Sequence, residues 1–133
     1  MVTGHYGSGK TELSLALARA LRMRARGRVA LVDLDVVNPY FRSAEQAEAL
    51  HAEGVEVLMP TFAMSTVDIP ALPAAIQGVF EQDFERVVID VGGDDTGATA
   101  LGRYAPSIAR VRGELQALYV VNPFRPLSET EDE

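Results

Sequence analysis

The sequence predicts an α/β fold built on a mainly parallel sheet, because short apolar runs alternate with longer stretches of helical periodicity along its 133 residues. Two further observations agree. The run VALVDL at 29–34 is almost continuously apolar, as strands covered on both faces tend to be. A Gly-rich segment, GHYGSGKT at 4–11, separates the first apolar run from the first helical stretch, where a tight strand-to-helix connection belongs.

The elements follow in order. Only Met1, Val2 and Thr3 precede Gly4, so the first strand is expected to be a stub, shorter than the usual five or six residues or so. Leu13, Leu17 and Leu21 recur every four residues and give the next segment one apolar helical face, with Gly27 expected as its C′ residue. The strand at 29–34 comes next, and Pro39 breaks the chain after it by restricting Asn38. Ser43 and Gln46 have the spacing of a capping box, predicting a helix through about residue 53 that Gly54 closes. A third strand is expected at 55–59. Asp68 followed by Ile69 and Pro70 predicts a helix start, with the helix running to about residue 82. A strand at 86–91, a helix at 98–112 interrupted or started near Pro106, and a last strand at 117–121 complete the pattern, and Asn122 and Pro123 stop it. One domain is expected at 1–127, with the acidic tail SETEDE at 128–133 disordered. The stub at the start and the absence of a helix after the last strand predict a domain truncated at both ends.

Composition narrows the function classes. The net charge of −7 argues against a sequence-independent grip on nucleic acid or anionic lipid. The strongest basic patch, Arg19, Arg22, Arg24, Arg26 and Arg28, is expected to be the solvated face and end of a helix, where cations suit the negative end of the dipole. No apolar run approaches the roughly 18 residues of a membrane span. Without cysteine there is no disulfide and no thiolate metal site, which is compatible with a cytoplasmic location.

Chemistry concentrates in three segments. Residues 4–11 satisfy G-x-x-x-x-G-K-[ST], a loop whose backbone N–H groups surround phosphates while the lysine reaches the β and γ phosphates. Lys10 is the only lysine; the other eleven basic residues are arginine. A compact ammonium with rotatable donors acts as a point charge on phosphate, which a planar guanidinium does not imitate. Gly4, His5, Tyr6, Gly7, Ser8, Gly9, Lys10, Thr11 and Glu12 are thus the candidate nucleotide-binding residues, with the Thr11 hydroxyl offered to Mg²⁺. In the second segment, VVIDVGG, Asp90 ends an apolar strand in the Walker-B manner and can hold Mg²⁺ or its water. Gly93, two residues beyond Val91, can present its N–H to a γ-phosphate. The third segment, ALVDLDVVNPYFRS, sets Asp33 and Asp35 on one face of a strand, since Leu34 between them points oppositely. Two carboxylates on one face suit metal-water organisation or orientation of an attacking water, although Asp33 also suits a cap or turn. Asp94 and Asp95 read as a solvated loop.

In this order and spacing, GHYGSGKTEL, VALVDLDVVNPYFRS, VVIDVGGDDTGA and YVVNPFRPLS resemble the CobQ/CobB/MinD/ParA-type P-loop ATP-binding family, in the class of MinD-like and signal-recognition NTPases. The resemblance covers almost the whole chain. It implies a three-layer α/β/α sandwich with the Walker-B strand beside the loop strand, and an ATPase using ATP and Mg²⁺ as a nucleotide-driven switch. It further implies that Lys10 contacts phosphates, that Thr11, Asp35 and Asp90 serve the metal, and that Asp35 orients the hydrolytic water. Asn122 and Pro123 resemble the segment that follows the corresponding MinD strand. Relatives carry a second lysine early in the loop that reaches across a homodimer; here His5 stands in its place. Protein partners are not specified.

The same residues also suit a P-loop kinase, with Asp35 accepting a proton from a substrate hydroxyl and Arg42 holding an anionic acceptor. GTP-dependent metallochaperones carry GSGKT loops too, but His5 and His51 alone are too few to build a metal-delivery site. A non-catalytic, truncated nucleotide-binding fragment is the remaining alternative.

Overall fold

The computed structural model describes residues 1–34, 41–58, 77–111, 113 and 115–124. The strands are β1 (Val2–Gly4), β2 (Arg28–Leu34), β3 (Val55–Leu58), β4 (Phe84–Val91) and β5 (Leu118–Val120). The helices are α1 (Lys10–Arg24), α2 (Phe41–Ala52), α3, described over residues 77–81, α4 (Asp95–Arg103) and α5 (Ala105–Ala109). All five strands join one sheet in the order β3-β2-β4-β1-β5, and every pairing is parallel. Parallel neighbours need crossover connections, and the helices between the strands supply them.

Strand alternation divides the core between the two faces of the sheet. Val29 and Leu31 of β2 join Val2, Val55 and Val88 in one cluster, which Leu15 and Ala18 of α1 and Leu50 of α2 cover. Ala30, Val32 and Leu34 join Ile89 and Val91 in the other, covered by Val79 of α3 and by Tyr104 between α4 and α5. Six of the seven β2 residues are therefore buried, which explains the unbroken apolar run. In α1 the most buried apolar positions are Leu15 and Ala18, and Leu13, Leu17 and Leu21 pack only partly buried around that cluster.

Several element ends differ from expectation. α1 stops at Arg24 with an extended Ala25, whose N–H donates to Leu21 O at 2.8 Å, so Gly27 is not its C′ residue. Instead the N–H groups of Arg26 and Gly27 both donate to the Glu85 carboxylate, which holds the turn into β2. α2 begins at Phe41, placing Ser43 inside the helix rather than at its cap. Gly54 closes α2 as expected, with φ +86 and its N–H on His51 O at 3.0 Å. β4 starts at Phe84, two residues before the expected position, while α4 and α5 divide around Tyr104 beside Pro106 as anticipated. The helix start at Asp68 and the tail at 128–133 lie outside the described residues.

The arginine patch lies at the solvated end of α1 as expected, with Arg22 and Arg24 in its last turn and Arg24, Arg26 and Arg28 exposed, and three of its members also make contacts. Arg19 pairs with Glu53, Arg22 donates to the Ala25 carbonyl, and Arg28 makes two bonds to Glu56 while lying over the Phe84 ring. Among the described residues no helix is long and apolar enough to cross a membrane.

Candidate functional site

The site is built where β1, β2 and β4 end. β1 lies between β4 and β5, with Val2 level with Asp90 on one side and Gly4 level with Val120 on the other. From Gly4 the chain turns at once, the Ser8 N–H donating to His5 O at 3.0 Å, and enters α1 at Lys10. Gly9 is the N-cap with φ +92 and ψ 14, a left-handed conformation that glycine adopts without a steric penalty. It contributes no side-chain cap, and α1 therefore starts as helix ends that bind anions commonly do.

Lys10 is buried at the start of α1, and the Ser14 hydroxyl donates to its carbonyl at 2.9 Å. Ser8 is also buried, and its Oγ has no hydrogen-bond partner among the described residues. Tyr6 is exposed at the mouth of the loop, Glu12 is exposed in the first turn of α1, and the half-buried His5 sets its ring edge-on to Tyr119, with centroids 6.3 Å apart.

Register brings the carboxylates together. Asp33 of β2 and Asp90 of β4 are direct partners on adjacent parallel strands, and both are buried. With Thr11 and Ser14 they line a cavity of about 10 Å³, whose remaining walls are Leu15, Leu31, Leu50 and Val57. The surface it exposes is almost wholly apolar, which makes it a packing void beneath the loop. Gly93 lies against the beginning of the loop: a Cβ there would collide with the Gly4 carbonyl and stand 3.1 Å from His5 N. Only a glycine permits this approach.

Of the sequence-predicted residues, Lys10, Thr11 and Asp90 thus gather beside the loop, together with Gly93. Asp35 lies outside the described residues, as does the side chain of Arg42. Asp33, which suited either a cap or a metal role, faces the cavity. Sequence alternation put it on the same strand face as Asp35, but only the β2–β4 register sets it beside Asp90. Asp94 is exposed, as expected of a solvated loop, and its carboxylate also accepts from Gly97 N at 2.9 Å and N-caps α4. Asn122 Oδ1 accepts from Phe124 N at 3.1 Å, a local turn that ends β5.

The opposite ends of the strands carry Arg28, Glu56 and Glu85, whose contacts are structural. Hydrogen bonding from Arg28 holds the Glu56 carboxyl below its ordinary range, and the Gly27 N–H does the same for Glu85. Among the described residues no three His, Cys, Asp or Glu side chains form a metal cage. Magnesium does not require one, since it usually takes one or two carboxylates together with substrate phosphates.

Compared with models of protein families, with curated proteins and with solved structures, the chain gives no match.

Proposed function

We propose that this chain is a Mg²⁺-dependent ATP-binding module of the P-loop NTPase type, an α/β/α sandwich similar to the CobQ/CobB/MinD/ParA proteins, and that its reaction is ATP hydrolysis. The observation that carries the proposal is the register that sets Asp33 level with Asp90 at the carboxyl ends of parallel strands, beside the strand whose loop enters α1 at Lys10. Such strand ends are where open α/β sheets bind ligands. The residue types fit the ligand: a helix start capped by glycine and a buried lysine suit phosphates, and a threonine near two level carboxylates suits a hard divalent cation. Bound magnesium would neutralise charge on the phosphates.

Each residue then has a task. Lys10 holds the β and γ phosphates, and the loop N–H groups fix their orientation. Thr11 and Asp90 would hold the ion, with Asp33, level with Asp90, as a further carboxylate for the ion or its water. Gly93 lets its backbone approach the γ-phosphate, and Asp35 orients the attacking water. Hydrolysis on this plan needs positioning and electrostatics rather than a covalent intermediate.

Equilibrium binding of a fluorescent ATP analogue, with and without Mg²⁺, combined with a phosphate-release assay, tests the proposal. Mg²⁺-dependent binding and phosphate release without any acceptor are expected. Formation of ADP only when an acceptor is supplied would replace hydrolysis by phosphoryl transfer, and absence of binding would remove both.

A further inference from the structure

Ser8 is only 8% exposed, and its Oγ is shielded from solvent with no hydrogen-bond partner among the described residues. Buried hydroxyls ordinarily have one, and an exception calls for a reason. A Cβ at Gly4 would stand 2.8 Å from that oxygen, so the hydroxyl lies back against the start of the loop, one residue from His5. The Ser8 N–H is engaged with the same part of the chain, donating to the His5 carbonyl at 3.0 Å. One residue thus holds two donors near one end of the loop, the backbone donor occupied and the side-chain donor unpaired.

A loop of this sequence type holds phosphates with its own N–H groups. The Ser8 N–H points back into the turn, so an incoming phosphate can recruit it only if it lets go of His5 O. The carbonyl would then lose its donor, and binding would weaken by whatever that unpaired group costs. Serine offers a replacement that most residues lack. Its hydroxyl can donate to the carbonyl three residues back, a recurrent local bond of Ser and Thr, and three residues back from Ser8 is His5.

We propose that Ser8 exchanges donors at the His5 carbonyl when the loop takes up phosphate: its N–H turns to a phosphate oxygen, and its O–H replaces the N–H on His5 O. The proposal rests on the nucleotide-binding reading above and adds to it a positioning residue that acts through the shape of the loop. The hydroxyl is unpaired in the empty protein and paired in the loaded one. Serine at this position therefore lowers the stability of the empty state and raises the affinity for nucleotide, and alanine reverses both signs.

Ser8→Ala and Ser8→Cys test the exchange, the second keeping the shape of serine with a much weaker donor. Each is compared with the wild type by thermal unfolding without ligand and by equilibrium titration with Mg·ATP. Ser8→Ala is expected to be at least as stable as the wild type when empty, yet to bind Mg·ATP roughly three- to tenfold more weakly, the size of one hydrogen bond. Ser8→Cys should bind like the alanine variant rather than like the wild type. The opposed signs separate the exchange from a structural role, in which loss of the hydroxyl lowers stability and affinity together. A less stable or unfolded Ser8→Ala, full affinity in Ser8→Ala, or full affinity in Ser8→Cys would overturn the exchange and leave the nucleotide reading in place. No Mg·ATP binding by the wild type would overturn both.

Discussion

Asp33 and Asp90 are two carboxylates buried level with one another on neighbouring strands, an arrangement suited to sharing a cation. On the proposed function, that cation would be the divalent ion held with Thr11. Asp33→Asn is therefore expected to weaken Mg²⁺-dependent ATP binding by roughly 10–100-fold, the range for groups that support metal ligands. Titrating ATP at several Mg²⁺ concentrations checks this, and an unchanged Mg²⁺ requirement would separate Asp33 from the ion. Gly93 allows a second prediction. Its close approach to the Gly4 carbonyl leaves no room for a methyl group, so Gly93→Ala should cost about 1–3 kcal/mol in unfolding free energy and disturb the loop. Denaturant melts measure the first effect and ATP titration the second. Asp33 also shows what one sequence conceals: period-two alternation reveals its strand face, whereas its neighbour across the sheet depends on register between strands about 57 residues apart in the chain.

At the scale of elements, hydrophobic patterning was the readable signal and local capping the unreliable one. β2 was legible because six of its seven residues are buried on both faces of the sheet. The end of α1 was not, because the carboxylate that holds Arg26 and Gly27 comes from Glu85, far along the chain. Ser43 had the spacing of a capping box, yet α2 starts before it. The Asp94 cap was hidden by two adjacent aspartates, either of which could serve. Asp94→Ala should destabilise the fold by about 1 kcal/mol through loss of the bond to Gly97 N, as thermal or urea unfolding would register. Glu85 gives a prediction with a pH sign. Its folded pKa is depressed below the ordinary 4.5 by the Gly27 and Arg26 N–H groups, so its contribution is present above that value and fades as pH falls through the folded pKa. The stability gap between wild type and Glu85→Gln should accordingly narrow on acidification; a gap that widens would contradict the bond.

For the whole molecule, the parallel α/β fold was legible from alternation, and the five-strand order adds what alternation lacks. Placing β4 between β2 and β1 brings Asp90 beside Asp33 and next to the strand that leads to Lys10. Crossover connections around one sheet thus gather residues from three distant segments at one end, while the other end is given to Arg28, Glu56 and Glu85. The central claim is that this gathered end binds Mg·ATP through Lys10. A ligand that binds only the folded state stabilises it by about 2.7 kcal/mol at 100 times its Kd, a rise in Tm on the order of 10 °C for a domain this size. The most direct measurement is the thermal shift with Mg·ATP of wild type against Lys10→Ala: the expected result is a clear shift in the wild type that the variant abolishes, and equal shifts, or none in either, would contradict the phosphate-binding role.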